Sequence, residues 1–387
     1  MVLTDEQKKI VQSTAPVLKE HGKQITSVFY QHVQEAHPEL RNIFNQSNQT
    51  TGSQPLALAF TLYCAAEHIN HLDVLMPQVE QIAYKHRALL VKPEHYPIVG
   101  KFLLEAIAEV LGAKATPEIL EAWKAAYSVI SSIFIGLEKK LYAKLGDDER
   151  DKGFISFKIV SKETVAAGPT VALTLERADG GKLFDYIPGQ YIAVRLEKGG
   201  LFHNRLYGLT EPSNGKTYSI VVKQEADNAP NATISNEIIN NLNVGGTILA
   251  TNPSGNFTLV NDAKHNLFIA GGVGIGPLSA MVQYLSANGK SSSGSLIHCV
   301  RTAGHAIFAD KLRAALPAGQ YVLLTADQPI SKAILAGKLQ PDTQVYVSGS
   351  EAFISIVDAV LVECAHPKSQ IHTEAIGPSL SILKRCC

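Results

Sequence analysis

Two groups of residues in this 387-residue chain have the types and spacing to do chemistry. The first gathers around Lys85-His86, set among Ile82, Ala83, Leu89 and Leu90, with Tyr30, Phe44 and Gln54 upstream and Tyr96 and Glu138 downstream. A haem iron needs one strong axial bond from the protein, a flat apolar slot and control of the opposite face, and a neutral imidazole on an apolar helix supplies the first. The second is Gly271-Gly272-Val273-Gly274-Ile275-Gly276-Pro277, which breaks an apolar strand pattern from an apolar helix pattern. Glycines there allow close backbone approach, the amides of a helix start suit a dinucleotide pyrophosphate, and proline suits the first helical turn. A haem ligand and a nucleotide cradle on one chain point to a self-contained oxidoreductase with an internal electron-transfer route.

Taken singly, these residues have plainer readings. His86 is one of seven histidines in residues 1–146 and reads equally as a satisfied core histidine. Tyr30 reads as a core aromatic with its hydroxyl at the surface, Gln54 as an exposed helix residue, and Glu138 as a solvated charge one helical turn before Tyr142. The elements that position them narrow the choice.

Residues 1–146 carry helical periodicity throughout. Thr4-Asp5-Glu6-Gln7 forms a capping signal ahead of a stripe at Ile10, Val11, Val17 and Leu18, and prolines recur near helix starts. Asn42–Gly52 is polar and reads as a loop. Residues 147–153 form a polar hinge. From 154 the period changes to two, with short strands at 154–160, 171–175, 191–196 and 218–222, so 154–261 is expected to be a small antiparallel β-barrel. Strands at 266–270, 295–300, 320–325 and 344–348 then alternate with helical patterns, which makes 262–387 an α/β domain with a mostly parallel sheet.

Composition excludes several classes. Lys and Arg number 35 against 35 Asp and Glu, with 14 of each sign in residues 1–146, so no basic arm exists and nucleic-acid binding is not expected. The longest uncharged run, 266–289, is broken by glycines and Pro277, and no stable membrane association is expected. The N-terminus lacks the blocks of a signal peptide, and five cysteines without a CxxC pair fit a reduced cytoplasmic compartment. Lys384-Arg385-Cys386-Cys387 is not a CaaX box and reads as a disordered tail with exposed thiols.

The combination of Phe29-Tyr30, Asn42-Ile43-Phe44, Gln54, Lys85-His86, Lys92-Pro93-Glu94-His95-Tyr96 and Ala122-Trp123 resembles a globin, and the chain from about Thr4 to Pro378 resembles the flavohaemoglobins, a family of nitric oxide dioxygenases. That resemblance implies haem b with His86 as the proximal ligand, Phe44 against the porphyrin, and Lys85 beside it. Tyr30 and Gln54 would line the distal face as donors to dioxygen, with Leu58 restricting the pocket. Glu138 and Tyr96 would act through His86, a carboxylate on the far ring nitrogen pushing electron density towards iron.

In the second half, Pro188-Gly189-Gln190-Tyr191 and Arg205-Leu206-Tyr207-Gly208-Leu209-Thr210 are similar to the flavin site of the ferredoxin-reductase superfamily. The resemblance places Arg205 on an FAD phosphate, Tyr191 and Tyr207 over the isoalloxazine ring, and Ile234-Ser235-Asn236 at a helix start facing the diphosphate. NAD(P)H would lie on Gly272-Val273-Gly274-Ile275-Gly276-Pro277, and Glu374-Ala375-Ile376-Gly377-Pro378 would be the flavin-facing tail. Four positions depart from the family pattern: Gly208 for serine, Gly276 for threonine, Ser348 for cysteine and Ile376 for phenylalanine. They predict weakened FAD binding and slower hydride transfer. Arg301 and His305, with no acidic residue placed for a ribose, lean towards tolerance of NADPH.

The implied activity is oxidation of nitric oxide by dioxygen to nitrate, driven by NAD(P)H through FAD and haem. Two other readings stand beside it. One is an oxygen-binding or oxygen-sensing globin whose reductase half has degenerated, the other a flavin reductase for which the globin is a slow outlet.

Overall fold

A computed structural model describes residues 2–43, 52–226, 232–260 and 262–376. Phe44, Gly377, Pro378 and the Cys386-Cys387 tail lie outside the described residues. The chain falls into two compact units. Of the described residues, the first holds those up to Lys152 together with Glu197–Asn204, and the second holds Gly153–Leu196 and residues 205–376.

The first unit is helical: α1 (Asp5–Ser13), α2 (Ala15–Ala36), α3 (Ser53–Glu67), α4 (Met76–Ala88), α5 (His95–Leu111) and α6 (Pro117–Ala143). Thr4 and Gln7 close a reciprocal capping box at the start of α1, as their spacing predicts. Thr116 caps α6 through the Ile119 amide, with Pro117 in the first helical position. Helices α2 and α3 cross closely because Gly22 sits against Ala59, where a Cβ would stand 3.2 Å away. The Thr26 hydroxyl also donates to the Pro55 carbonyl at 2.7 Å. The core here is built on Val11, Ile25, Phe29, Val33, Leu103, Ile107 and Trp123, and the indole of Trp123 donates to Thr14 Oγ1 at 3.1 Å. Helix α6 is long and apolar enough by length and composition to cross a membrane; its Trp123, Ala126, Phe134 and Glu138 are buried within the helical unit.

The chain after the helices forms two sheets. Strands β1 (Ile155–Ala166), β2 (Thr170–Arg177), β3 (Tyr191–Lys198), β4 (Leu201–Gly208), β5 (Tyr218–Lys223) and β6 (Thr247–Ala250) form an antiparallel sheet in the order β4-β3-β6-β1-β2-β5. Just past β4, Leu209 bridges Ile220 of β5, joining the two edges into a barrel. Phe157, Ile159, Leu173, Leu175, Ile192, Val194 and Ile220 fill it. Helix α7 (Ala232–Asn240) follows β5. The parallel sheet is formed by β7 (Asn266–Gly271), β8 (Gly294–Cys299), β9 (Tyr321–Leu324), β10 (Gln344–Gly349) and β11 (Ile371–Ala375), in the order β11-β10-β7-β8-β9. Helices α8 (Ile275–Ala287), α9 (Ala309–Ala315), α10 (Lys332–Ala336) and α11 (Glu351–Glu363) alternate with them. Apolar residues cover both faces of that sheet, Phe268 and Tyr346 facing one side and Leu267 and Val345 the other.

The helical, antiparallel and parallel classes are those the periodicity predicts. Strand β1 runs six residues beyond the expected Val160, because Ser161–Thr164 continue the ladder with β2 after a register shift. Residues 147–153, expected as a hinge, contain a short 3-10 turn at Glu149–Lys152, and Gly153 opens the second unit.

Candidate functional site

His86 lies in the last turn of α4, which ends in Lys85, His86 and Arg87. Leu90 takes a left-handed backbone conformation at φ 61, and the Val91 amide returns to the His86 carbonyl at 2.9 Å, so the chain turns sharply into α5. That turn brings Tyr96 beside His86. The Tyr142 hydroxyl on α6 donates to the carbonyls of Arg87 and Val91, both at 3.4 Å, and the Tyr127 hydroxyl donates to the Tyr96 carbonyl at 2.8 Å.

Three side chains then meet. His86 Nδ1 lies 2.7 Å from Glu138 Oε1 and 3.1 Å from the Tyr96 hydroxyl, which itself donates to Glu138 Oε1 at 2.5 Å. Glu138 is 2% exposed, and its Oε2 is buried without a hydrogen-bond partner. The solvated-charge reading of Glu138 is thereby excluded. Because an ionised carboxylate only accepts, the geometry puts the imidazole proton on Nδ1 and leaves the Nε2 lone pair for a metal. Burial, reinforced by donation to Glu138, pushes the Tyr96 phenol far above its ordinary value, so it stays protonated.

An apolar cleft of about 550 Å³, counting its open mouth, adjoins this triad between α3, α4 and α6. Its walls include Thr61, Ala65, Val79, Ile130, Ile82, one turn before His86, and Phe134, whose ring centroid is 5.5 Å from that of His86. On the α2–α3 side, Tyr30 is 7% exposed. Burial raises its hydroxyl well above the ordinary tyrosine value, against a hydrogen bond from the Gln54 side chain that lowers it. Gln54 Oε1 is buried without a partner, which excludes the exposed-residue reading. An imidazole protonated on Nδ1 beside an apolar cleft fits a porphyrin whose iron would be held through Nε2.

In the second unit, Arg205, Leu206, Tyr207 and Gly208 occupy the last half of β4. Burial lowers the pKa of Arg205 and raises that of Tyr207, so a largely desolvated cation lies beside a protonated phenol. A partly buried guanidinium suits a phosphate. The start of β3 is fixed by Gln190, whose side-chain amide donates to the Gly255 carbonyl at 2.8 Å, and Tyr191 packs its ring on Gly255, where a Cβ would stand 2.9 Å from Cε1. Tyr191 is therefore held in the barrel wall, 4% exposed. Ser235 is buried within α7, the fourth residue of that helix, which begins at Ala232.

The glycine loop emerges from the carboxyl end of β7, where an open α/β sheet binds its ligands. Gly272 has φ 52, and Gly274 presses so closely on the end of β10 that a Cβ would fall 2.2 Å from the Ser348 carbonyl oxygen. Ile275 opens α8, and Pro277 is its third residue. Ser348 pairs with Glu374 and Gly349 with Ala375 between β10 and β11, and the Ile376 amide donates to the Gly349 carbonyl at 2.9 Å. One end of the sheet thus gathers Gly272–Pro277, Ser348 and Glu374–Ile376. Position 208 lacks a side chain, yet no hole is left there: a Cβ on Gly208 would meet Pro277 Cδ at 2.6 Å. Ile376 is 47% exposed.

Tyr127, Phe134 and Tyr142 are the residues around His86 that sequence reading missed. Their signal was present: Tyr127, Ile130, Phe134, Glu138 and Leu141 form one helical stripe in which Glu138 is the only charge.

A model of the globin family matches residues 27–134. The flavohemoprotein of Oceanobacillus iheyensis is 35% identical over 405 residues, covering 99% of this chain and 99% of that protein. That of Halalkalibacterium halodurans is 36% identical, covering 97% of each. Among solved structures, the flavohemoglobin of Malassezia yamatoensis with bound FAD and heme matches 97% of this chain and 100% of that one, with a TM-score of 0.87 at 28% identity. The FAD/NAD binding domain of the nitric oxide dioxygenase of Vibrio cholerae matches 58% of this chain and 100% of that one, with a TM-score of 0.53 at 27% identity. Relatives that match along the whole length at this identity share one ancestry with it, and the chain belongs to the flavohemoprotein family.

Proposed function

We propose that this chain is an NAD(P)H-dependent nitric oxide dioxygenase carrying haem b and FAD. The observation that carries the reading is the His86–Glu138–Tyr96 triad, with Glu138 and Tyr96 buried, beside an apolar cleft, in a flavohemoprotein whose second half keeps the partly buried Arg205 and the glycine cradle. When bound, NAD(P)H and FAD would supply electrons, and haem a redox-active iron, for the net conversion of nitric oxide, dioxygen and one electron to nitrate.

The protein's own residues prepare that chemistry. Glu138 holds the Nδ1 proton of His86 at 2.7 Å, which makes the imidazole a stronger donor through Nε2. Tyr96 shares the same carboxylate oxygen and stays a phenol, so Glu138 is held in place without taking up its proton. Phe134 and Ile82 present apolar surface on that side. Tyr30 and Gln54 would supply a phenol and an amide as hydrogen-bond donors, and Leu58 packs against the helical core that holds Tyr30. Arg205 and Ser235 would hold the FAD diphosphate, and Gly272–Pro277 the nucleotide.

The test is to purify the full chain, quantify flavin beside haem, and follow NAD(P)H-dependent loss of nitric oxide with nitrate as product. Near-equal haem and flavin with catalytic nitrate formation is the expected result. Haem without flavin, and no turnover, would make it an oxygen-binding globin instead.

A further inference from the structure

Strands β7 and β8 run side by side, with Gly271 level with Cys299 at their carboxyl ends. In a βαβ unit of this kind the pyrophosphate rests on the glycine turn after the first strand, and the adenosine ribose reaches past the end of the second. An acidic residue there takes a ribose hydroxyl, whereas an arginine takes a 2′-phosphate. Arg301 stands two residues beyond Cys299, and residues 300–309 contain no Asp or Glu. Arg301 is exposed, and it forms no ion pair among the described residues. The acids that follow β8 and β9 are engaged by other groups: Asp310 accepts from Arg313 at 2.9 Å, and Asp327 accepts from the Thr325 hydroxyl.

The segment carrying Arg301 is also held in shape. The Val300 amide donates to the Leu324 carbonyl at 2.9 Å, and the Ala326 amide to the Arg301 carbonyl at 3.3 Å. Residues Ala303–His305 form a 3-10 turn, closed by His305 Nδ1 lying 2.7 Å from Thr302 Oγ1. In the turn between β1 and β2, the Ala167 amide donates to the Gly304 carbonyl at 2.7 Å. A segment braced in this way gives up little freedom when it takes a ligand.

We infer that Arg301 is the specificity-determining residue of the nucleotide site, and that it selects NADPH over NADH by pairing with the 2′-phosphate. This rests on the reductase reading above. A guanidinium meets a phosphate through two parallel N–H bonds, whereas the ribose hydroxyls of NADH offer it no charge.

The test titrates the full-length protein by calorimetry with adenosine 2′,5′-bisphosphate and, separately, adenosine 5′-monophosphate, which differ only in the 2′-phosphate. The parent is expected to bind the bisphosphate about tenfold more tightly, the scale of a bond to a charged group. Arg301→Ala should remove that difference and leave the 5′-monophosphate affinity and the flavin content unchanged. In flavin reduction, the same variant should raise KM for NADPH about tenfold, with kcat and both constants for NADH unmoved. Arg301→Asp should turn the preference towards NADH.

Equal binding of the two nucleotides by the parent overturns the proposal. So does a preference for the bisphosphate that survives Arg301→Ala, including one lost instead in His305→Ala. A preference for NADH that Asp327→Asn abolishes also overturns it, since Asp327 would then read the ribose. Binding of neither nucleotide sinks the reductase reading and this one with it. A 2′-phosphate preference that depends on Arg301, in a protein that forms no nitrate, upholds the role of Arg301 and sinks only the nitric oxide reading.

Discussion

Replacing Glu138 by glutamine keeps its shape and removes its charge, which isolates what the carboxylate does. Glu138 Oε1 accepts two short bonds, 2.7 Å from His86 Nδ1 and 2.5 Å from the Tyr96 hydroxyl. Bonds to a charged group contribute about 1.5–3 kcal/mol against about 0.5–1.5 for neutral ones. Neutralising the acceptor therefore costs about 1 kcal/mol per bond, and about 2 kcal/mol for the pair. Carried whole into the reaction barrier, at about 1.4 kcal/mol per tenfold, that is about thirtyfold in rate, inside the roughly 10–100-fold range for partners of metal ligands. The His86 Nε2 bond is untouched, so Glu138→Gln should keep haem and bind dioxygen. Stopped-flow consumption of nitric oxide should fall about thirtyfold, and the iron–histidine stretch in the resonance Raman spectrum should move to lower frequency as the imidazole loses anionic character. Turnover at the parental rate with an unmoved stretch would refute the reasoning and leave Glu138 a structural residue.

Three further outcomes are expected. His86→Ala should yield protein with flavin but without stoichiometric haem; an unchanged Soret spectrum would remove His86 from its role. Ile376→Phe should tighten FAD by at most about tenfold, since aromatic stacking adds about 0.5–1.5 kcal/mol beyond buried area, and fluorescence titration of FAD checks it. His298 on β8 is fully buried, and burial lowers its pKa from 6.5 to about 4, opposed by a backbone hydrogen bond at Gly272. Between those values the unfolded chain binds a proton that the folded one does not, so the stability present above pH 6.5 is lost as pH falls towards 4, by up to about 3 kcal/mol. Calorimetry at pH 7 and about pH 4.5 should show that loss in the parent and a smaller one in His298→Gln; equal losses would show that other groups cause it.

The three structural classes were legible because each has its own hydrophobic period, from the stripe of α1 through the alternation of β2 to the apolar runs of β7 and β10. The site residues were legible as types. The plainer readings of Glu138 and Gln54 were undone only by burial, which depends on what packs opposite. Glu138 was the nearest to being read outright, since a single charge in the stripe from Tyr127 to Leu141 must find partners when that face is covered. Tyr142 escaped notice because its targets are the carbonyls of Arg87 and Val91, and backbone atoms leave no trace in residue type. The contact of Pro277 with Gly208 joins residues nearly seventy positions apart, which residue type alone does not announce.

The central claim is that this chain couples NAD(P)H to nitric oxide oxidation through its own two cofactors. The most direct measurement gives the purified holoprotein nitric oxide under air, with NAD(P)H as the sole reductant, and counts nitrate against NAD(P)H oxidised. The account predicts catalytic nitrate, about two for each NAD(P)H, since each hydride carries two electrons and each nitrate takes one. Nitrate limited to the amount of haem, with NAD(P)H left unconsumed, would contradict it.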